Sequence, residues 1–105
     1  MFFKKGVLQV NIHITDEAVD WYIEEMELKH GSFIRFFVRY GGHSTVQKGF
    51  SLGISTESPN EIGAQANRKG ITFYIEEKDL WYFDNHDPMI ELDTKLGEPK
   101  LSFNK

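Results

Sequence analysis

The residues best suited to chemistry lie in one glycine-flanked loop, Gly41-Gly42-His43-Ser44. Two adjacent glycines allow positive φ angles and a close approach of the backbone to a ligand. The imidazole of His43 is a good ligand for iron, zinc or copper. The loop is not a phosphate loop, because it lacks the Gly-Lys-Ser/Thr ending and no helix follows it. From these residues alone it is either a ligand-binding loop or an ordinary connection between strands.

The rest of the sequence offers His43 no obvious partner ligands. The other three histidines, His13, His30 and His86, show no metal-ligand spacing. Asp84, His86 and Asp87 form the densest alternative set, but Asp-Asn-His-Asp-Pro is also the composition of a turn. Metal binding at His43 would therefore require Ser44, a nearby carboxylate or the His43 of a second chain.

Acid–base and nucleophilic machinery is not visible. No serine lies in a nucleophile-elbow pattern, and the adjacency of His43 and Ser44 says nothing about their mutual geometry. The carboxylate pairs Glu24-Glu25 and Glu76-Glu77 are interpreted as solvated faces, since adjacent residues point in different directions. We therefore expect a protein that is not an enzyme.

Composition excludes several partner classes. The net charge of −4 and the pI near 5.5 argue against nucleic-acid binding, which depends on clustered Lys and Arg. No stretch is apolar for long enough to predict a membrane span. The absence of cysteine and of an export signal favours a cytoplasmic protein. Residues 1–9 are interpreted as a short N-terminal extension.

The elements that would position the loop are one helix and several short strands. A hydroxyl N-cap at Thr15, two acids and a helical apolar stripe predict a helix over 15–30, with Gly31 as its stop. Alternating runs then predict half-buried strands. Their predicted core positions are Ile34, Phe36, Val38, Phe50, Leu52, Ile54, Phe73 and Ile75. Turns are predicted at Arg68-Lys69-Gly70, Asp84-Asn85-His86 and Gly97-Glu98-Pro99.

The two tryptophans, Trp21 and Trp81, are candidates for a partner surface. Trp21 falls slightly off the apolar stripe of the predicted helix, and tryptophan is a favoured anchor at protein interfaces. Packing at the edge of the core is the alternative for both side chains.

The loop also resembles the glycine-cysteine-serine segment of HesB/IscA-like proteins, the A-type carriers of iron–sulfur cluster assembly. His43 stands at the position of their first cysteine. The resemblance covers roughly residues 10–105 through the order and spacing of further segments: Ile14-Thr15-Asp16-Glu17-Ala18, residues 34–39, Asn67-Arg68-Lys69-Gly70-Ile71, Asp79-Leu80-Trp81-Tyr82-Phe83-Asp84 and Leu101-Ser102-Phe103-Asn104. It implies an α+β, mainly β, HesB-like domain of twisted mixed β-sheets with one N-terminal helix over residues 10–105, and a tendency to form a homodimer.

The resemblance also bears on metal chemistry. In that family the first cysteine and a cysteine-glycine-cysteine pair in the tail bind iron or an iron–sulfur cluster. Here His43 replaces the first cysteine, and the sequence stops at Asn104-Lys105, about where the tail would begin. We therefore expect no cluster carriage through the usual cysteines. No cofactor is firmly predicted, and a weakly bound transition metal is the candidate.

The function expected from the resemblance is that of a non-catalytic accessory or binding protein related to iron–sulfur cluster biogenesis, with a protein partner in that assembly. Two alternatives stay open. One is a metal-binding protein that uses His43, with a symmetric dimer bringing two imidazoles together. The other is an enzyme on the same scaffold.

Overall fold

The computed structural model describes residues 9–41 and 50–104, with the main chain alone at Phe50 and Asn104. In chain order the elements are β1 His13–Ile14, α1 Asp16–Glu25, β2 Phe33–Tyr40, β3 Phe50–Ser55, β4 Ile62–Arg68, β5 Ile71–Glu76, a 3₁₀ helix Glu77–Phe83, β6 Asp87–Asp93 and β7 Glu98–Asn104. The fold is α+β and mainly β, which confirms the predicted class. No helix in these described ranges is long and apolar enough to cross a membrane.

The strands form two mixed sheets. The four-stranded sheet has the order β3-β2-β5-β4, in which β2 and β5 are parallel and the outer pairs are antiparallel. The three-stranded sheet has the order β1-β6-β7, with β1 parallel to β6 and β6 antiparallel to β7. Arg68 at the end of β4 links the two sheets, because its guanidinium donates to the carbonyl of Ile14 and to Asp16.

Helix α1 begins as predicted and ends earlier. The Thr15 hydroxyl accepts the N–H of Ala18 at 3.2 Å and so caps the first turn. The predicted end near residue 30 is wrong, because the helix stops at Glu25. Glu27 has a left-handed φ of 52°, and the Leu28 N–H donates back to the Ile23 carbonyl at 3.0 Å. This is the Schellman arrangement, with a glutamate where glycine is usual.

Aromatic packing between α1 and the four-stranded sheet dominates the core. The Phe73 ring lies 5.8 Å from the Tyr22 ring and 6.3 Å from that of Phe36, and all three residues are buried. Ile34, Phe36, Phe73 and Ile75 are buried as predicted. Val38 and Leu52 are partly buried against the core, and the Phe50 side chain lies outside the described part of the chain.

The prediction of Ile54 as a core residue is wrong, since it is 41% exposed. Its strand phase is correct, because Ile54 pairs with the buried Phe36 across β2 and β3. Strand β3 is at the edge of the sheet, however, and Ile54 lines the mouth of a groove of about 140 Å³ between the two sheets. An edge position therefore leaves an inward-facing residue half open to solvent.

The predicted turns coincide with left-handed backbone. Lys69 and Gly70 have φ values of 52° and 81°, and Asp84 and Asn85 have values of 48° and 64°. Gly97 also has a positive φ, of 71°, but strand β7 already begins at Glu98. A strand begins directly after each of these turns or one residue later.

Candidate functional site

The glycine-flanked loop is only partly within the described residues. Gly41 follows β2 with a φ of 93°, a conformation that favours glycine, and a Cβ at this position would meet no atom within 4 Å. Gly42, His43 and Ser44 lie outside the described residues. Metal binding at His43 therefore stays a prediction.

The alternative cluster near residue 86 is a turn. The His86 Nδ1 lies 2.9 Å from the Phe83 carbonyl oxygen, and Asp87 Oδ1 accepts the Asn11 N–H at 2.9 Å. Within residues 9–41 and 50–104, no three His, Cys, Asp or Glu side chains are placed to share a metal ion. The carboxylates and imidazoles of this region serve local structure instead.

Trp21 joins α1 to the turn between β6 and β7. Its indole N–H donates to the Gly97 carbonyl at 2.8 Å, and its ring packs edge-on against Tyr22 at 5.4 Å. The side chain is partly buried against the core. These contacts give Trp21 a structural role at the edge of the core, and its role in a partner surface stays a prediction.

Trp81 lies on the 3₁₀ helix and is 44% exposed. Four other residues of that helix, Asp79, Leu80, Tyr82 and Phe83, are buried. The Trp81 ring packs edge-on against Tyr82, with 6.1 Å between ring centroids. The buried side chains therefore anchor this helix to the core, and the large aromatic side chain of Trp81 lies at the surface.

A partly buried ion pair joins this 3₁₀ helix to β2. Arg35 Nη2 donates to Asp79 Oδ2 at 3.2 Å, and the Val38 N–H makes a longer hydrogen bond of 3.4 Å to the same oxygen. Arg35 Nη1 also donates to the exposed Glu57 at 3.0 Å. Burial alone would lower the pKa of the Arg35 guanidinium, but the hydrogen bonds and charges of Glu57 and Asp79 raise it above its usual value.

The start of β4 packs against the same helix. The register between β4 and β5 shifts between Ile62 and Ala64, which marks a bulge at Gly63. A Cβ on Gly63 would lie 2.8 Å from Glu77 Cα and 2.8 Å from Leu80 Cδ1. Only glycine allows the strand to approach the helix this closely.

Glu76 binds the backbone that leads into β4. The interpretation of Glu76-Glu77 as a solvated face is therefore wrong for Glu76. Glu76 is 5% exposed, and its carboxylate accepts the N–H groups of Asn60 and Glu61 at 2.7 and 2.9 Å. Burial by itself raises the pKa of the Glu76 carboxyl, but these two hydrogen bonds and the Arg35 and Lys78 charges lower it below its ordinary value.

Glu77, in contrast, is exposed and faces another carboxylate. Its backbone N–H donates to the Glu61 carbonyl at 2.8 Å, which places the two residues side by side. The Glu77 side chain, through a hydrogen bond and through its charge, raises the pKa of the Glu61 carboxyl above its ordinary value. Sequence reasoning missed this pair, because the two residues are far apart along the chain.

The comparisons with known proteins decide the family. The model of a family described as iron-sulphur cluster biosynthesis matches residues 10–105. The chain belongs to this family. A pyruvate dehydrogenase inhibitor of Bacillus subtilis is 51% identical over 94 residues, which cover 90% of this chain and 99% of that protein. An uncharacterized protein of Staphylococcus saprophyticus is 38% identical, over 85% of this chain and 94% of its own length. No solved structure matches.

As a member of the iron–sulphur cluster biosynthesis family, the chain has an unusual set of potential ligands. Its 105 residues contain no cysteine, whereas iron–sulfur clusters are held by thiolates and only occasionally by imidazole. A cluster as cargo therefore does not fit the donor groups of these residues. Within the described residues, Trp81 is an exposed side chain on a helix that buried contacts anchor to the core.

Proposed function

We propose that this family member is a non-catalytic protein that acts by binding a protein partner, and that it inhibits pyruvate dehydrogenase. The observation that carries the proposal is its 51% identity to a Bacillus subtilis protein named pyruvate dehydrogenase inhibitor, over 99% of that protein. Identity at this level across a whole small domain extends to surface residues as well as to the core. A shared mode of action is the simplest consequence.

The chemistry of the chain supports a binding role. The sequence has no thiolate, which is the usual ligand of an iron–sulfur cluster. The charged side chains that are buried in the described ranges, Glu76 and Asp79, are engaged by backbone N–H groups and by Arg35. Such hydrogen-bonded charges stabilise a fold, and neither of these two carboxylates is poised for acid–base catalysis. The scaffold of a carrier family would thus be retained for recognition.

An activity titration tests the proposal. Purified Bacillus subtilis pyruvate dehydrogenase is assayed with increasing amounts of the untagged chain. The proposal predicts a saturable fall in activity at a defined ratio of chain to enzyme. An unrelated NAD⁺-linked dehydrogenase, assayed under the same conditions, controls for interference with the readout. Unchanged pyruvate dehydrogenase activity at a large molar excess of chain would refute the proposal.

An accessory role in iron–sulfur cluster biosynthesis is the second candidate, and the family match over residues 10–105 favours it. This role predicts that the chain changes the rate at which a cluster-loaded carrier of the family transfers its cluster to an apo-protein. Visible absorption of the recipient follows the transfer. The two candidates are separable, because pyruvate dehydrogenase is absent from this second assay.

A further inference from the structure

Two of the large apolar side chains exposed on the described surface, Ile62 and Trp81, belong to elements that pack against each other. Ile62 is 37% exposed at the start of β4, and Trp81 is 44% exposed on the 3₁₀ helix. The Gly63 bulge seats that end of β4 on the helix. Aromatic side chains such as that of Trp81 are enriched at protein interfaces.

The support beneath these side chains is rigid. The Glu76 carboxylate binds the backbone N–H groups of Asn60 and Glu61, and the Asp79 carboxylate binds Arg35. A backbone held in this way loses little conformational entropy when a partner binds, so more of the contact energy appears as affinity.

Three exposed charges lie near these side chains, the carboxylates of Glu61 and Glu77 and the ammonium of Lys78, so the net charge there is negative. Glu61 and Glu77 are exposed and adjacent, and neither forms a salt bridge with another described residue. Like charges held together at a surface oppose each other in the free protein. A cationic group from a partner would remove that repulsion.

We infer that Ile62 and Trp81, together with the facing carboxylates of Glu61 and Glu77, form the docking surface for a basic segment of a protein partner that carries an apolar anchor. This inference rests on the proposed function, in that the chain acts by binding a protein. It adds where the partner binds and what chemistry the partner presents.

The first test uses the chain alone and does not depend on pyruvate dehydrogenase. The ¹⁵N-labelled full chain is titrated with two synthetic peptides of equal length, one alternating arginine and leucine and the other alternating glutamate and leucine. The basic peptide should shift the Trp81 indole N–H and the backbone amides of Glu61, Ile62 and Glu77. The Trp21 indole, which is hydrogen-bonded to Gly97, is the internal reference and should stay in place. No shift at Trp81, or equal shifts with both peptides, would overturn the inference.

The second test uses purified pyruvate dehydrogenase and matched variants. Trp81→Ala should weaken binding about 30-fold, the equivalent of about 2 kcal/mol for an aromatic anchor. The double variant Glu61→Lys/Glu77→Lys reverses both surface charges and should also abolish most binding. Glu24→Lys/Glu25→Lys makes the same change in net charge on the exposed end of α1 and should bind as the wild type does.

The outcomes separate the two proposals. If the wild type binds pyruvate dehydrogenase and the Glu61/Glu77 variant binds equally well, the surface is wrong and the proposed function stands. If the wild type does not bind the enzyme but the basic peptide shifts Trp81, the proposed function is wrong and the surface stands. Should Trp81→Ala fail to fold, the charge variant still decides, because both carboxylates are exposed.

Discussion

Arg35 binds two carboxylates that differ in burial, and removing each in turn tests what holds the 3₁₀ helix in place. The Asp79 side chain is 11% exposed and that of Glu57 is 65% exposed, whereas the Arg35 side chain they share is 15% exposed. Asp79→Ala and Glu57→Ala therefore each remove one carboxylate that binds the Arg35 guanidinium. The Asp79 carboxylate is mostly buried, and the Glu57 carboxylate is mostly exposed.

The expected magnitudes differ several-fold. Breaking a buried ion pair from one side costs about 3–5 kcal/mol, because the remaining charge is left without compensation. Arg35 keeps its 3.0 Å bond to Glu57 when Asp79 is removed, so we expect about 2–3 kcal/mol for Asp79→Ala. Glu57→Ala removes an exposed partner and should cost at most about 1 kcal/mol.

Urea unfolding followed by tryptophan fluorescence measures both changes. With a slope of about 1–3 kcal/mol per molar urea, Asp79→Ala should lower the midpoint by roughly 0.7–3 M, and Glu57→Ala by much less. The Trp81 indole resonance should also broaden or shift in Asp79→Ala, since its helix loses the bond to β2. Equal destabilisation by the two variants would refute the view that burial sets the strength of this contact.

Three further predictions concern single residues. Gly63→Ala places a Cβ 2.8 Å from the Glu77 backbone and should destabilise the fold by about 1–3 kcal/mol, measured by urea unfolding; an unchanged midpoint would contradict the close packing. The hydrogen bonds from Asn60 and Glu61 hold the pKa of the Glu76 carboxyl below its ordinary value in the fold, so its stabilising contribution is fully present above the unfolded pKa and is lost as the pH falls through the folded pKa. Glu76→Gln should therefore flatten the acid limb of a stability–pH curve, and an unaltered limb would argue against this assignment. Metal binding through His43 should be weak and should rise as the pH passes about 6.5, because protons compete for the imidazole nitrogen; calorimetry with iron, zinc and nickel that gives equal heats for wild type and His43→Ala would remove this alternative.

Alternating patterns and the family resemblance predicted the fold class, and the patterns located strands β2, β3 and β5. The errors have physical causes. The helix was extended too far because Met26 continues its apolar spacing and Gly31 is a typical helix stop. Glu27 nevertheless adopts a left-handed φ of 52°, and glutamate gives no warning of such a cap. Ile54 has the correct phase in β3, but alternation along one strand cannot reveal that the strand lies at an edge of the sheet.

The candidate surface was only half visible in the sequence. Trp81 could be selected as a large aromatic residue, although its place on a 3₁₀ helix was not predicted. Glu61 and Glu77 face each other because of the bulge at Gly63 and the hydrogen bonds to Glu76. These contacts join residues on different elements. Residue types and spacing carry no signal for that juxtaposition. The prediction that His43 stands where the family has a cysteine, in contrast, came only from the family resemblance.

The central claim is that this cysteine-free family member acts by binding a protein and needs no cluster. Inhibition of pyruvate dehydrogenase by a chain stripped of metal with a chelator tests it most directly. The assay compares that protein with a sample taken through anaerobic reconstitution with iron and sulfide and then desalted. We predict the same inhibition curve for both samples. Inhibition by the reconstituted sample alone would contradict the claim, as would the absence of inhibition by either.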